Sequence, residues 1–531
     1  MSSSKKLCTG MQNFIIRTPD ALSDPVFLTR FNDLQFDGNS LSYVLLDNSG
    51  EYNVKFIITT DDAGFRFRMN VTSPLPIWLV EWKLSGFNFK EVIIPALGGQ
   101  SLNDNMPDGN VLSYKYPFWW NAQFVIGMNG SDGLMIHSRD DSPDLKLLRA
   151  GRENNSFSLT YGFEAPAPLK SNSLEAEFYM TGFEGGWQKG VELYRPWMEM
   201  SFNPVPFISH HGFPSWADDI NFVLELWGAR KSFTPGHTFA QMIERLVEWS
   251  GLYSPANTLV YLAGFAENGI DSHAPDYNPS EQCGGTEEFK KLIDTAHRMG
   301  YHIMLHTNVL AMTFSHRLYN EFRKFQVIDP FGREQTWGLD ADGDWLAEPY
   351  FAYMNPGYKE WGDEMEKVLG ELIERHNADA VFLDQTLLAF NVSKGPNFLI
   401  GMRNHIARMQ NKFPEILFAG EGLHEQNVSA LPFAQIHGID SLTEVHGMEG
   451  QVPWRKVHPV YSYLFGKYTK FIGHLLTRHP SNPMFDFQEA AYSDLGVVPV
   501  LSLYNSNQEI NIPAVHKMID RAKSINKKIE I

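Results

Sequence analysis

Ala380-Val381-Phe382-Leu383-Asp384 and Ile416-Leu417-Phe418-Ala419-Gly420-Glu421 are two short apolar runs, each closed by an acidic residue, and how they are connected decides the fold. Between them Gly395-Pro396 breaks the chain, after which Phe398, Leu399, Met402, Ile406, Met409 and Phe413 recur at helical spacing. The unit reads as strand, helix, strand. A crossover helix makes its flanking strands parallel, and parallel neighbours deliver the residues that follow them to the same end of a sheet. Asp384 and Glu421 are therefore expected to face one cleft.

The same grammar extends upstream. Phe222-Val223-Leu224-Glu225-Leu226, Leu259-Val260-Tyr261-Leu262 and His302-Ile303-Met304-Leu305-His306 are strands. The helices between them carry Phe239, Met242, Ile243, Leu246 and Val247 on one face, then Phe289, Leu292, Ile293 and Ala296. A long excursion, 307–353, precedes the helix opened by Asn355-Pro356. Further strands expected near 438–445, 469–475 and 497–503 bring the count to eight, the number that closes as a (β/α)8 TIM-type barrel. The rival, a doubly wound open sheet, would carry a glycine-rich phosphate turn after its first strand, and Leu226-Trp227-Gly228 is not one.

Residues from about 41 to 186 obey a different period. Phe65, Phe67, Met69 and Val71 alternate with Arg66, Arg68 and Asn70, and turns such as Asn48-Ser49-Gly50 and Asn129-Gly130-Ser131-Asp132-Gly133 separate such runs. That predicts an antiparallel β-sandwich. The Pro-rich passage Asn203-Pro204-Val205-Pro206-Phe207 reads as a junction. The expected organisation is multidomain, β then α/β: a sandwich over 1–202, a linker over 203–218 and the barrel over 219–531.

A charge of −18 in 531 residues argues against nucleic acid and anionic membrane as partners, and a neutral carbohydrate fits better. Aromatic residues reach 13%, with 13 Trp, enough to supply rings that stack on sugars, although a large core also uses them. Cys8 and Cys283 are too few for a disulfide framework or a thiolate metal site. With no secretory pattern at the start and no apolar run long enough to span a bilayer, a cytoplasmic location is expected.

Barrels place chemistry beyond the C-terminal ends of their strands. There the sequence offers Trp227 after strand one, Asp271, Asp276 and Tyr277 after strand two, and His306 and Asn308 at strand three. Asp384 and Gln385 follow strand four, Glu421 strand five, Glu444 and His446 strand six, and Tyr504 and Asn505 strand eight. Two carboxyl groups among polar residues that hold hydroxyls meet the needs of glycoside hydrolysis. A nucleophile must stay ionised, which suits a hydrogen-bonded Asp384, while an acid needs the raised pKa that burial would give Glu421. The plainer readings are a loop-capping Asp384 and a Glu421 in a structural ion pair. Glu425 and Asp440 compete for the acid's role. A metal pair at His210-His211 is disfavoured because adjacent side chains diverge, and no cofactor is expected.

Gly185-Gly186-Trp187-Gln188-Lys189-Gly190-Val191-Glu192-Leu193-Tyr194-Arg195, Asp276-Tyr277-Asn278-Pro279, the run from Gly300 to Asn308, and Met354-Asn355-Pro356 leading to Val381-Phe382-Leu383-Asp384-Gln385 resemble retaining α-glycosidases and glycoside-hydrolase-like relatives. In the α-amylase and endo-α-N-acetylgalactosaminidase groups an Asp ending strand four is the nucleophile and a Glu ending strand five the acid/base. The resemblance thus implies those roles for Asp384 and Glu421. Phe382 departs from the pattern, standing where amylases carry Arg and α-galactosidases commonly Lys, and in the α-galactosidase type the acid would come from strand six, hence Asp440. A carbohydrate-binding or scaffold barrel that has lost catalysis is the alternative expectation.

Overall fold

The computed structural model describes residues 12–20, 23–61, 64–230, 234–337, 351–439, 452–474 and 479–525. Within them eight parallel strands follow one another around a ring: Phe222–Trp227, Thr258–Ala263, His302–Asn308, Ala380–Asp384, Leu417–Gly420, Phe433–Gln435, Lys470–Ile472 and Val500–Leu503. The eighth pairs back onto the first. A parallel bridge between Ile472 and Val498 joins the seventh to the segment leading into the eighth, and so closes the ring.

Side chains alternate across each strand, which explains why these runs are apolar throughout. Val223, Leu259, Tyr261, Met304, Phe382, Leu417, Phe433 and Val500 pack together inside the ring. Their neighbours Leu224, Val260, Ile303, Val381, Phe418 and Leu501 point outward to the helix layer. The helix Phe239–Ser250 starts at a capping box in which the Thr238 hydroxyl accepts from the Gln241 amide and the Gln241 side chain accepts from Thr238. Sequence placed the sixth strand too late, at 438–445. It is only three residues, Phe433–Gln435, entered from Pro432 and followed by the left-handed Gly438, so it is too short to show a period.

Among the described residues, the N-terminal half supplies a six-stranded antiparallel sheet and nine strands of a ten-stranded one. Trp82 of the smaller sheet lies 5.4 Å from the Phe56 ring, 5.3 Å from Phe67 and 5.6 Å from Phe178 of the larger, so the two share a core. The alternation along Gly64–Thr72 holds at Met69 and Val71, which are buried, and fails at Phe65, which is exposed. The 185–195 passage opens the helix Trp187–Phe202, which buries Val191, Tyr194, Met198 and Phe202.

The two halves are interleaved. Arg455–Val457, sent out between the sixth and seventh barrel strands, pairs antiparallel with Gln100–Asn103 and becomes the edge of the ten-stranded sheet. Periodicity cannot reveal a partner about 350 residues away. Among the described residues no helix is long and apolar enough to cross a membrane.

Candidate active site

Four strands converge on the carboxylates at the C-terminal mouth of the ring. At the third, Asn308 is fully buried, and its Oδ1 accepts from the amides of Leu310 and Ala311, both at 2.9 Å. That leaves its Nδ2 to donate to Asp271 Oδ2 at 2.9 Å and to Asp384 Oδ2 at 3.1 Å. One amide thus bridges two acids. His306 is sandwiched in the same network, with Nδ1 2.6 Å from the Tyr261 hydroxyl and Nε2 3.1 Å from Asp271 Oδ1. Burial opposes charge on this imidazole, but Asp271, by charge and hydrogen bond, and then Asp384 outweigh it and raise its pKa. The Tyr277 hydroxyl donates to Asp271 Oδ1 at 3.3 Å and accepts from the Asn308 amide at 2.7 Å.

The strand-four residue Asp384 and the strand-five residue Glu421 meet here and remain partly open to the cleft. Gln385, in the left-handed conformation at φ 66°, turns its backbone N–H onto Glu421 Oε2 at 2.7 Å. The two carboxyl groups lie close enough to interact electrostatically. Burial pushes Glu421 up to about 8, with the charge of Asp271 adding to it and the bonds from Gln385 and Asp384 opposing. Asp384 is also raised, by burial and then by the charges of Glu421 and Asp271. Two neighbouring acids cannot both ionise cheaply, so they titrate as a pair.

The sequence-derived candidates divide cleanly. Asp384, Gln385, Glu421, His306, Asn308 and Tyr277 come together. Trp227 sits at the end of strand one against Tyr504, ring centroids 5.2 Å apart, with its indole N–H buried and unbonded. Asp276 does not join them. Its carboxylate turns to His316 at 3.1 Å, in a recess of about 330 Å³ lined by Glu371, Arg375 and His376 of the helix Lys359–His376. Glu425 is also removed from contention as the acid: fully buried, it accepts from Gln123 Nε2 at 2.6 Å and the Tyr194 hydroxyl at 2.7 Å. It is a fastening between the halves of the chain. Both nitrogens of His210 are engaged, by the Ser429 carbonyl and the Gly212 amide, which makes that ring structural. Asp440, Glu444 and His446 lie outside the described residues.

One acid was offered after strand two without a role, and two histidines were missed. Asp271, 4% exposed, is the hub of the buried network. His437 follows strand six with Nε2 3.4 Å from Glu421 Oε1, and His474 follows strand seven, edge-on to His437 at 5.1 Å and close enough to lower the pKa of Asp384. Each histidine stands two residues past its strand, the signal that a correct sixth strand would have exposed. Asp271, His306 and Asp384 also bring one ligand atom each within 4.8 Å of one another, a cation-like arrangement. Both nitrogens of His306 already have partners, however, so the group reads as a hydrogen-bond network.

An eight-stranded parallel ring behind antiparallel sheets is an architecture found in solved structures as well. The α-N-acetylgalactosaminidase NagBb from Bifidobacterium bifidum, in its GalNAc complex, superposes with a TM-score of 0.71 at 13% identity, over 98% of this chain and 87% of that one. The galactosidase domain of the α-galactosidase-sucrose kinase AgaSK gives 0.52 at 12% identity, over 97% and 74%. The GH36 α-galactosidase AgaA from Geobacillus stearothermophilus gives 0.50 at 10%, over 97% and 75%. At such identities the likeness is one of fold. A family model described as "Domain of unknown function (DUF6259)" matches residues 173–475, and the chain belongs to that family. No curated protein matches the sequence.

Proposed function

We propose that this chain is a glycoside hydrolase that cleaves an α-linked sugar with retention, its N-terminal sheets forming a β-sandwich module over 1–202 and its barrel, 219–531, carrying the chemistry. The observation that carries the reading is the pair Asp384 and Glu421: delivered by adjacent parallel strands to the same end of the ring, both part-exposed and both with a raised pKa. Glu421 is the acid. Burial raises its pKa to about 8, which suits it to protonate the departing glycosidic oxygen, while Asp384, whose pKa is raised as well, attacks the anomeric carbon in its ionised form. Glu421, now ionised, then takes a proton from water, which displaces Asp384 from the glycosyl-enzyme and restores both groups. Their seats on adjacent parallel strands, four and five, suit the closer spacing of retaining enzymes, about 5–5.5 Å, better than the roughly 6.5–9.5 Å of inverting ones. Asn308 and His306, both buried, hold Asp271 and Asp384 in place.

The test is turnover on a panel of aryl α-glycosides, with α-galactoside and α-N-acetylgalactosaminide included because such activities are named for the structural neighbours. Asp384→Asn should abolish it, and Glu421→Gln should leave only a small residual rate. Azide should rescue Asp384→Ala and give a glycosyl azide of inverted configuration; full turnover by both Asp384→Asn and Glu421→Gln would end the proposal. The second reading, a non-catalytic carbohydrate-binding barrel, draws on Phe382, whose ring lies against Tyr261 and His306 at 5.3 and 5.8 Å. Calorimetric sugar binding without product on the same panel would favour it.

A further inference from the structure

We propose that Trp119, carried by the antiparallel β region, is a positioning residue for the barrel's acid: it holds the His437 imidazole against Glu421, so the β region forms part of the working cleft. This inference rests on the glycosidase reading above. The rings of Trp119 and His437 are stacked, centroids 5.2 Å apart and planes 20° from parallel, and His474 meets the other ring of the pair edge-on at 88°. Held this way, His437 directs Nε2 at Glu421 Oε1 from 3.4 Å, while the Gln385 amide holds Oε2 from 2.7 Å. Each oxygen of the acid therefore has its own partner, and one of those partners is oriented from outside the barrel.

The placement of Trp119 is built in. Its carbonyl accepts from the Leu97 amide at 3.0 Å, its own amide donates to Lys115, and the Asn121 carbonyl two residues on accepts from the Glu425 amide at 3.0 Å. The backbones of the two halves are in contact at this point. A Cβ on Gly98, at φ 80°, would lie 2.6 Å from Ile436 Cγ2, and one on Gly438, at φ 101°, would lie 2.7 Å from Leu97 Cα. Both glycines are required by sterics and by conformation, and both flank the Trp119–His437 contact in space: Leu97 bonds Trp119, and Gly438 follows His437. Such close approach fixes the indole relative to the strand-six loop. Among the described residues, the titratable groups around His437 include Glu421 after strand five and His474 after strand seven, and His474 in turn lies near Asp384 after strand four.

The experiment is a double-mutant cycle on the full chain with Trp119→Ala, His437→Ala and the double variant, and with Trp119→Phe as the conservative control. Expected are a loss of about tenfold or more in kcat with KM little changed for each single variant, a double variant no worse than either, and recovery with Trp119→Phe. Additive losses, or wild-type kcat and pH profile in Trp119→Ala with a native circular dichroism spectrum, would overturn the inference. A readout free of turnover separates it from the glycosidase reading: the 13C resonance of the Glu421 carboxyl, assigned with Glu421→Gln and followed through a pH titration. Its midpoint should move in Trp119→Ala and return in Trp119→Phe. An unmoved midpoint defeats the positioning role even if a substrate is found, whereas a moved midpoint without any hydrolysed glycoside counts against the proposed activity alone.

Discussion

Replacing Glu425 by glutamine is expected to change how stability responds to pH more than it changes stability itself. Glu425 is fully buried where the loop after strand five meets the β region, and burial is the main cause that pushes its pKa from 4.5 to about 7, against hydrogen bonds from Tyr194, Gln123 and Tyr116 and the charge of Lys146. The folded state therefore binds this proton more tightly than the unfolded chain does. Stability from this source is complete below pH 4.5 and is lost as the pH rises through about 7, and at 1.36 kcal/mol per unit the loss amounts to about 3 kcal/mol. Glutamine cannot ionise and keeps one oxygen acceptor for the same donors. The gap in unfolding free energy between wild type and Glu425→Gln, measured by urea titration at several pH values from 4.5 to 8.5, should thus shift in favour of the variant as the pH rises. Other titrating groups cancel in that difference. A gap that stays constant across the range would refute both the buried carboxyl and the sign of its linkage. Because the Glu425 amide also holds the Asn121 carbonyl, two residues from Trp119, the same titration should loosen the contact that orients His437.

The remaining expectations concern the mouth and the floor of the ring. The kcat/KM of the wild type should fall as the pH rises through about 8, where Glu421 loses its proton, and this limb should be absent from the residual activity of Glu421→Gln. Asn308→Asp keeps the shape and the loop-holding oxygen but replaces the donor between Asp271 and Asp384 by a further carboxylate; a loss of about 100-fold in kcat with a native fold is expected, and an active variant would discount the bridge. At the opposite end, burial alone would raise Asp379, but bonds from His297, His302 and the Ile303 amide hold it at about 2, so Asp379→Asn should cost about 2 kcal/mol at pH 7. That contribution is present above pH 3.8 and disappears as the pH falls through about 2, so wild type and variant should converge in acid. Gly438→Ala, forced toward Leu97, should lower both the thermal midpoint and kcat.

How far the sequence speaks for this fold depends on the length of the signal and the reach of the partner. Ala380–Asp384 and the helix Phe398–Lys412 carry their own periods, so the strand, helix, strand unit and its two acids could be placed without coordinates. The same logic fails at Phe433–Gln435, since three residues set no period; with that strand misplaced, His437 could not be recognised as a residue at the mouth. Asp276 and Asp271 expose a second limit. Both follow strand two, and nothing in their spacing distinguishes them. The difference is made by long-range partners, His316 for one and His306 with Asn308 for the other, and by the left-handed backbone that turns Asp271, at φ 55°, into the cluster. The third limit is the division into domains. A boundary drawn at a Pro-rich passage treats the two halves as independent, yet Arg455–Val457 completes an N-terminal sheet and Trp119 closes on a barrel histidine. Contacts of this kind leave no mark on local composition, because a tryptophan that stacks on a loop at the barrel mouth and one that fills a core are equally buried and equally apolar. The candidate residues for the chemistry are thus legible where strands end, and the residues proposed to aim them become visible only when the chain is closed on itself.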